Sequence, residues 1–344
     1  LDPWKRAHLK LCIRKGSHFG LMVLYRIRRI LTHIGHVHSF SLVLIVLLQR
    51  DALCSRDDSA SLLQSKTDVK RGQLHSTIST NMTKIAIYTA NFGGYDPITD
   101  IDDHIADVPD GVRAFYFSDS QTLEKNAGAL QKWKEHGWEM IPYELLPGNE
   151  VMEPERLTAK ELKFTPPDWL LHGSWDWLIH YDSHYYLNAK TLLPFLQQRE
   201  HMALVLHDYC YFYKECCGEG NGFKCFEHDM DFLLNAFPTK IQRSRDKMIE
   251  LKRTVETRIE DKTLTLPHYF DMHLLMRNLR HRKANQVTNA FKKVFKKLHE
   301  LQRDQSLVPV YLHDSNVTEI DAVSSGELFH VLHFHATGWH TRHN

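Results

Sequence analysis

The sequence predicts an α/β protein built on a mainly parallel, doubly wound sheet with flanking helices. Three observations predict it. Short apolar, β-branched runs alternate with helical patterns along the second two-thirds of the chain, the order expected of βα units. One of those runs, Trp177 to Tyr181, has the mostly apolar, β-favouring character of a strand buried on both faces. Polar residues follow these runs abruptly, at the strand ends where open α/β sheets place their ligands.

Lys84 to Ala90 (KIAIYTA) reads as the first strand and breaks into Asn91-Phe92-Gly93-Gly94-Tyr95-Asp96. Paired glycines there permit positive φ and close approach of backbone to a ligand; an ordinary Gly-Gly turn is the plainer alternative. Arg113 to Ser118 is the second strand, ending at Asp119, and a helix from Gln121 to His136 leads to a third strand around Trp138 to Tyr143. Glu153 to Phe164 reads as a helix stopped by Pro166-Pro167. Its Arg156, Lys160 and Lys163 share one face at i, i+4 and i+7. Three cations so placed suit a diphosphate, and a solvated basic face is the alternative.

Next comes the strand Trp177 to Tyr181, which runs into Asp182-Ser183-His184. An Asp and a His two apart can both hold one divalent cation, the carboxylate as a hard ligand and the imidazole as a borderline one; a surface turn with two polar residues is the alternative. A helix from Ala189 and a strand at Met202 to Leu206 follow. Met230 to Phe237 and Lys240 to Arg258 read as helices, Thr263 to Leu266 as β-like, and Met272 to Met276 as another strand. Ala284 to Gln302 is a basic amphipathic helix with Phe291, Val294, Phe295 and Leu298 on one face, and it leads into Arg303-Asp304-Gln305. In the His-rich tail, Leu332 to His335 alternates as a strand does, so His333 or His335 can complete a metal site beside Asp182 and His184.

Composition bounds the class. The 344 residues are 42% hydrophobic and 25% charged, as in soluble globular proteins, and the formal net charge of +1 gives no field that would recruit nucleic acid. Residues 1–54 read as an N-terminal extension with a secretory signal or signal anchor. Arg26, Arg28 and Arg29 precede the apolar run Phe40 to Leu48, with small residues after it. That run is short for a membrane span, so a single anchor requires the helix to extend back through Val37. Residues 55–81 are polar and Ser/Thr-rich, as in a stem, which leaves residues 82–344 as the folded domain. The sequons Asn81-Met82-Thr83 and Asn316-Val317-Thr318 fit a lumenal chain. Cys210, Cys216, Cys217 and Cys225 cluster in a Gly-rich stretch without the paired spacing of a zinc site, and read as disulfide staples of a loop.

Taken in order, Tyr88-Thr89-Ala90, Phe92-Gly93-Gly94-Tyr95-Asp96, the Arg156/Lys160/Lys163 helix, the strand ending at Asp182 and Arg303-Asp304-Gln305 resemble a glycosyltransferase-like family long catalogued as a domain of unknown function. Its plant members are described as Golgi proteins of mucilage synthesis, and one as a ceramidase. The resemblance covers roughly Lys84 to Tyr311. It implies a GT-A-like nucleotide-diphospho-sugar transferase fold in the Golgi lumen (type II anchored) or secreted, acting on a nucleotide-sugar donor and a glycan or glycoprotein acceptor. By the same resemblance Tyr88, Thr89, Gly93, Gly94, Tyr95 and Asp119 border the nucleotide, while Arg156, Lys160 and Lys163 meet the diphosphate. Asp182, with His184 and His333 or His335, would hold Mn2+ or Mg2+. Asp304 and Gln305 would sit near the transferred sugar, Asp304 as base or as stabiliser of an oxocarbenium.

After its strand-end aspartate the family has a small residue and no His. Asp182-Ser183-His184 is instead similar to the D-x-H of the polypeptide N-acetylgalactosaminyltransferases, and the tail through Gly338 and Trp339 to that of glycogenin-like transferases. Two other classes remain: a lumenal binding protein that has lost the chemistry, and a metal-dependent amide hydrolase acting on ceramide.

Overall fold

The computed structural model describes residues 83–94, 108–183, 185–209, 221–236, 242–328 and 331–334. All of these residues belong to one compact unit, Ile78–Asn344. The expected signal segment, the stem and Tyr95, His184 and His335 lie outside the described residues, as do Cys210, Cys216 and Cys217. Among the described residues no helix is long and apolar enough to cross a membrane.

Seven strands form one sheet in the order β3-β2-β1-β4-β7-β6-β8. They are β1 (Ile85–Ala90), β2 (Val112–Ser118), β3 (Trp138–Pro142), β4 (Trp177–Tyr181), β6 (Leu204–Asp208), β7 (Phe270–Asn278) and β8 (Ile320–Val323). All run parallel except β7, which is antiparallel to both β4 and β6. The expected mainly parallel sheet is therefore present, with one reversed strand that the sequence pattern did not reveal. Its reversal matters because the N-terminal residues of β7 lie at the same edge as the C-terminal ends of β4 and β6. A second, two-stranded sheet pairs β5 (Tyr185–Leu187) with β9 (Leu332–Phe334), placing His333 opposite Tyr186. The tail strand thus adds to the segment that directly follows the D-x-H.

Helices cover both faces. One face packs against α2 (Ala127–Glu135) and α5 (Ala189–Gln197) through Trp133, Leu192, Phe195 and Leu196. The other carries α3 (Pro154–Phe164), α4 (Asp168–Leu171), α6 (Gly222–Ala236), α7 (Arg245–Glu260), α8 (Ala284–Leu298) and α9 (Val308–Asp314). All five residues of β4 are buried, as a strand sandwiched between helical layers must be.

Several expectations are corrected. The helix expected from Gln121 to His136 is two helices, α1 (Ser120–Lys125) and α2, meeting at Asn126. Thr263 to Leu266 is not a strand, for it lies in the connection after α7 without sheet partners. α6 begins at Gly222, so Cys225 lies on a helix rather than in a loop, where it is fully buried and disulfide-bonded. The glycine at that helix start is required: a Cβ on Gly222 would lie 2.4 Å from the His268 carbonyl carbon. Asn316 is exposed and follows α9 with φ 54°, the left-handed conformation Asn tolerates at a helix end.

Candidate functional site

The site is assembled at the edge where β1, β2, β4 and β6 end and β7 begins. The β1 turn comes first. Gly93 and Gly94 have φ of 62° and 63°, so both glycines are conformationally required. The Gly93 N–H donates to Asp119 Oδ2 at 2.8 Å, while Asp119 Oδ1 accepts from the Thr122 N–H at 2.8 Å as the N-cap of α1. These bonds outweigh the effect of burial and hold the Asp119 carboxyl below its ordinary range. Asp119 therefore clamps the glycine turn to α1.

Tyr88 and Thr89 are fully buried. Tyr88 packs edge-on against His180 and donates from its hydroxyl to the Leu162 carbonyl at 3.1 Å. Burial pushes that hydroxyl up to about 12. Thr89 Oγ1 donates to the Tyr181 carbonyl at 2.8 Å. Both were expected to border a nucleotide. In the structure their hydroxyls join β1 to α3 and to β4.

α3 delivers its three cations to one place, graded from solvent to core. Arg156 is exposed and donates to the Gln302 carbonyl at 3.3 Å. Lys160, with a side chain 17% exposed, pairs with Asp304. Lys163, only 6% exposed, meets Asp182 Oδ1 at 2.7 Å, the Met272 carbonyl at 2.8 Å and Asp304 Oδ2 at 3.9 Å. Only Arg156 belongs to a solvated face. The helix end behind Lys163 is fixed by Arg277, a buried β7 residue that donates to the Lys163 and Phe164 carbonyls and lies over the Phe291 ring. A cation there also suits the negative end of the helix.

Each residue of Arg303-Asp304-Gln305 addresses a different element. Arg303 makes a two-pronged pair with Asp229 of α6, at 3.0 and 2.7 Å. Asp229 also accepts from Tyr269 at 2.6 Å. Asp304 turns to Lys160 and Lys163, which overcome the effect of burial and hold its carboxyl well below the usual range. Gln305 donates to Asp271 Oδ1 at 3.2 Å.

Two residues at the start of β7, Asp271 and His273, complete the cluster. His273 Nδ1 lies 2.6 Å from Asp271 Oδ1, and its Nε2 faces Asp182 Oδ2 at 4.0 Å. His207 of β6 approaches Asp271 Oδ2 at 3.8 Å, and burial pulls its imidazole down to about 4. Sequence reasoning missed this pair, although Asp271-Met272-His273 repeats the D-x-H spacing of Asp182-Ser183-His184. Its place on a reversed strand was the missing information.

Among the described residues no three His, Cys, Asp or Glu side chains are grouped to hold a metal ion. Asp182, the expected first ligand, already has one oxygen on the Lys163 ammonium. The described donors therefore do not fit a divalent ion as they stand. His184 and His335 lie outside the described residues, and of His333 the backbone position alone is described.

No family model and no curated protein sequence matches the chain. Among solved structures, the bifunctional glycosyltransferase WbbM in its apo form is similar with a TM-score of 0.41 and 10% identity, over 82% of this chain and 45% of that one. The glycosyltransferase GlyE of Streptococcus pneumoniae TIGR4 gives 0.37 and 13%, over 72% and 47%. The galactosyltransferase LgtC, in complex with donor and acceptor sugar analogues, gives 0.37 and 10%, over 70% and 73%. This chain thus spans less than half the length of the first two. Likeness at this level is one of outline, and the chemistry has to be argued from the side chains.

Proposed function

We propose that this chain is a glycosyltransferase that moves a sugar from a nucleoside-diphosphate donor to a glycan or glycoprotein acceptor in the secretory pathway. One observation carries the reading. The Gly93-Gly94 turn, the α3 cations, Asp182 and Asp304-Gln305 come from four separate stretches of sequence and meet at one edge of the sheet. A diphosphate leaving group gathers negative charge as the glycosidic bond breaks, and fixed cations aimed at that charge are the main catalytic contribution such a site can make. Arg156 and Lys160, on the solvent side of the stripe, would meet the diphosphate, with the glycine turn admitting the nucleotide close to backbone. Asp304 stays ionised in its pair with Lys160, and so suits a positive charge developing on the sugar better than it suits a proton acceptor.

The test is release of nucleoside diphosphate from a panel of UDP- and GDP-sugars by the full-length protein, with mixed glycan acceptors. Turnover by the wild type should fall at least about 100-fold in Asp304→Asn, with donor affinity within a few-fold, since the lost contribution is made in the transition state. Donor binding without turnover would reassign the chain as a binding protein, and fatty-acid release from ceramide as an amide hydrolase.

A further inference from the structure

We propose that the ammonium groups of Lys160 and Lys163 take the place of a divalent cation at this site, so that the donor diphosphate binds without metal. The inference deepens the donor-site reading above, and it starts from where Lys163 points. Its ammonium has three acceptors at the strand ends: Asp182 Oδ1 at 2.7 Å, the Met272 carbonyl at 2.8 Å and Asp304 Oδ2 at 3.9 Å. The first two lie at hydrogen-bond distance, and the third is an ion pair at longer range.

A metal ion bound through Asp182 would share that carboxylate with the ammonium and repel it. Lys163 has no easy retreat. Its side chain is 6% exposed, and the helix end that carries it is held by Arg277 and by the Tyr88 hydroxyl. Leaving the ammonium without its carboxylates would strand a buried charge.

The charge balance agrees. Lys160 and Lys163 supply two positive charges against the carboxylates of Asp182 and Asp304. A divalent ion between two carboxylates gives the same sum. Of the two lysines, Lys160 is the more exposed, with a side chain 17% accessible against 6%. It therefore presents charge to the ligand while Lys163 keeps Asp182 and Asp304 from repelling the diphosphate.

The experiment titrates Mn2+ alone into full-length wild type and Asp182→Asn, following the free ion by electron paramagnetic resonance. In parallel it measures UDP affinity of the wild type in EDTA and in Mn2+. Wild type and Asp182→Asn should take up Mn2+ alike, and the two UDP affinities should agree within threefold. A Mn2+ site in the wild type that disappears in Asp182→Asn, or a tenfold or greater tightening of UDP by Mn2+, overturns the proposal. The UDP comparison uses wild type alone and stands even if the variant fails to fold. If neither UDP nor GDP binds under any condition the donor reading falls, while the Mn2+ titration still decides the question of metal.

Discussion

Gly93 is held by two separate constraints, and they can be measured apart. Its φ of 62° is expensive for any residue with a Cβ, and a Cβ there would lie 2.9 Å from Glu155 Cγ of α3. Gly94 shares the backbone conformation but faces open space. Gly93→Ala and Gly94→Ala should each cost about 1–2 kcal/mol for the left-handed backbone. The Gly93 variant should cost more in a urea titration because Glu155 must also move, and equal midpoints would remove the steric half of the argument. Lys160 offers a second test at this scale. Burial, reinforced by Lys163 and Arg156 and partly offset by Asp304 and Asp182, brings its ammonium down to about 8. The protonated form is the one that binds a phosphate, so UDP affinity should weaken roughly tenfold as pH rises through that value, the worth of one charge-assisted hydrogen bond. Lys160→Met should bind weakly throughout and show a flat profile. Much at this scale was legible in the sequence. Asp182, the two α3 lysines and Asp304 do lie together; helical spacing put the lysines on one face, and the family resemblance, not spacing, implied the rest. The burial of Tyr88 and Thr89 was not legible, since a strand pattern does not say which helix will cover its end. Asp119, expected beside the nucleotide, both caps α1 and accepts from the Gly93 N–H, and neither contact can be read from the strand pattern.

At the scale of elements, the site depends on clamps that hold α3 and the Arg303-Asp304-Gln305 segment together. Arg303 reaches Asp229 on α6 with two hydrogen bonds, and Tyr269 adds a third to the same carboxylate. Lysine keeps the charge but cannot make the fork. Arg303→Lys should therefore cost about 1.5–3 kcal/mol, the worth of a hydrogen bond to a charged group. It should also weaken UDP binding without removing a group that touches the ligand. Unchanged stability with lost binding would instead place Arg303 itself on the ligand. The antiparallel course of β7 is the main feature the sequence did not disclose. Strand direction is set by the crossover and by pairing with β4 and β6, and no local pattern in Phe270–Asn278 records it. Asp271 and His273 were overlooked for that reason. The break at Asn126 and the irregular stretch at Thr263 to Leu266 are local failures of propensity against tertiary context.

For the molecule as a whole, buried groups that stay uncharged set the acid limit of stability. His207 is pulled down by burial to about 4 from the ordinary imidazole value of 6.5. Between those values the unfolded chain binds a proton that the folded chain refuses, so stability is present above about 6.5 and is lost as pH falls toward 4. A shift of that size is worth at most about 3–4 kcal/mol. His207→Gln should flatten the stability profile across that window in thermal unfolding, and an unchanged slope would show that other groups set the acid limit. One sheet edge of this α/β unit should bind a nucleoside diphosphate through the α3 cations. The decisive measurement is calorimetry of UDP, then GDP, against the full-length protein and against Lys160→Met. A single site for one of these nucleotides is expected in the wild type, weakened at least tenfold in Lys160→Met. No binding of either nucleotide, or equal affinity in the two proteins, would rule this out.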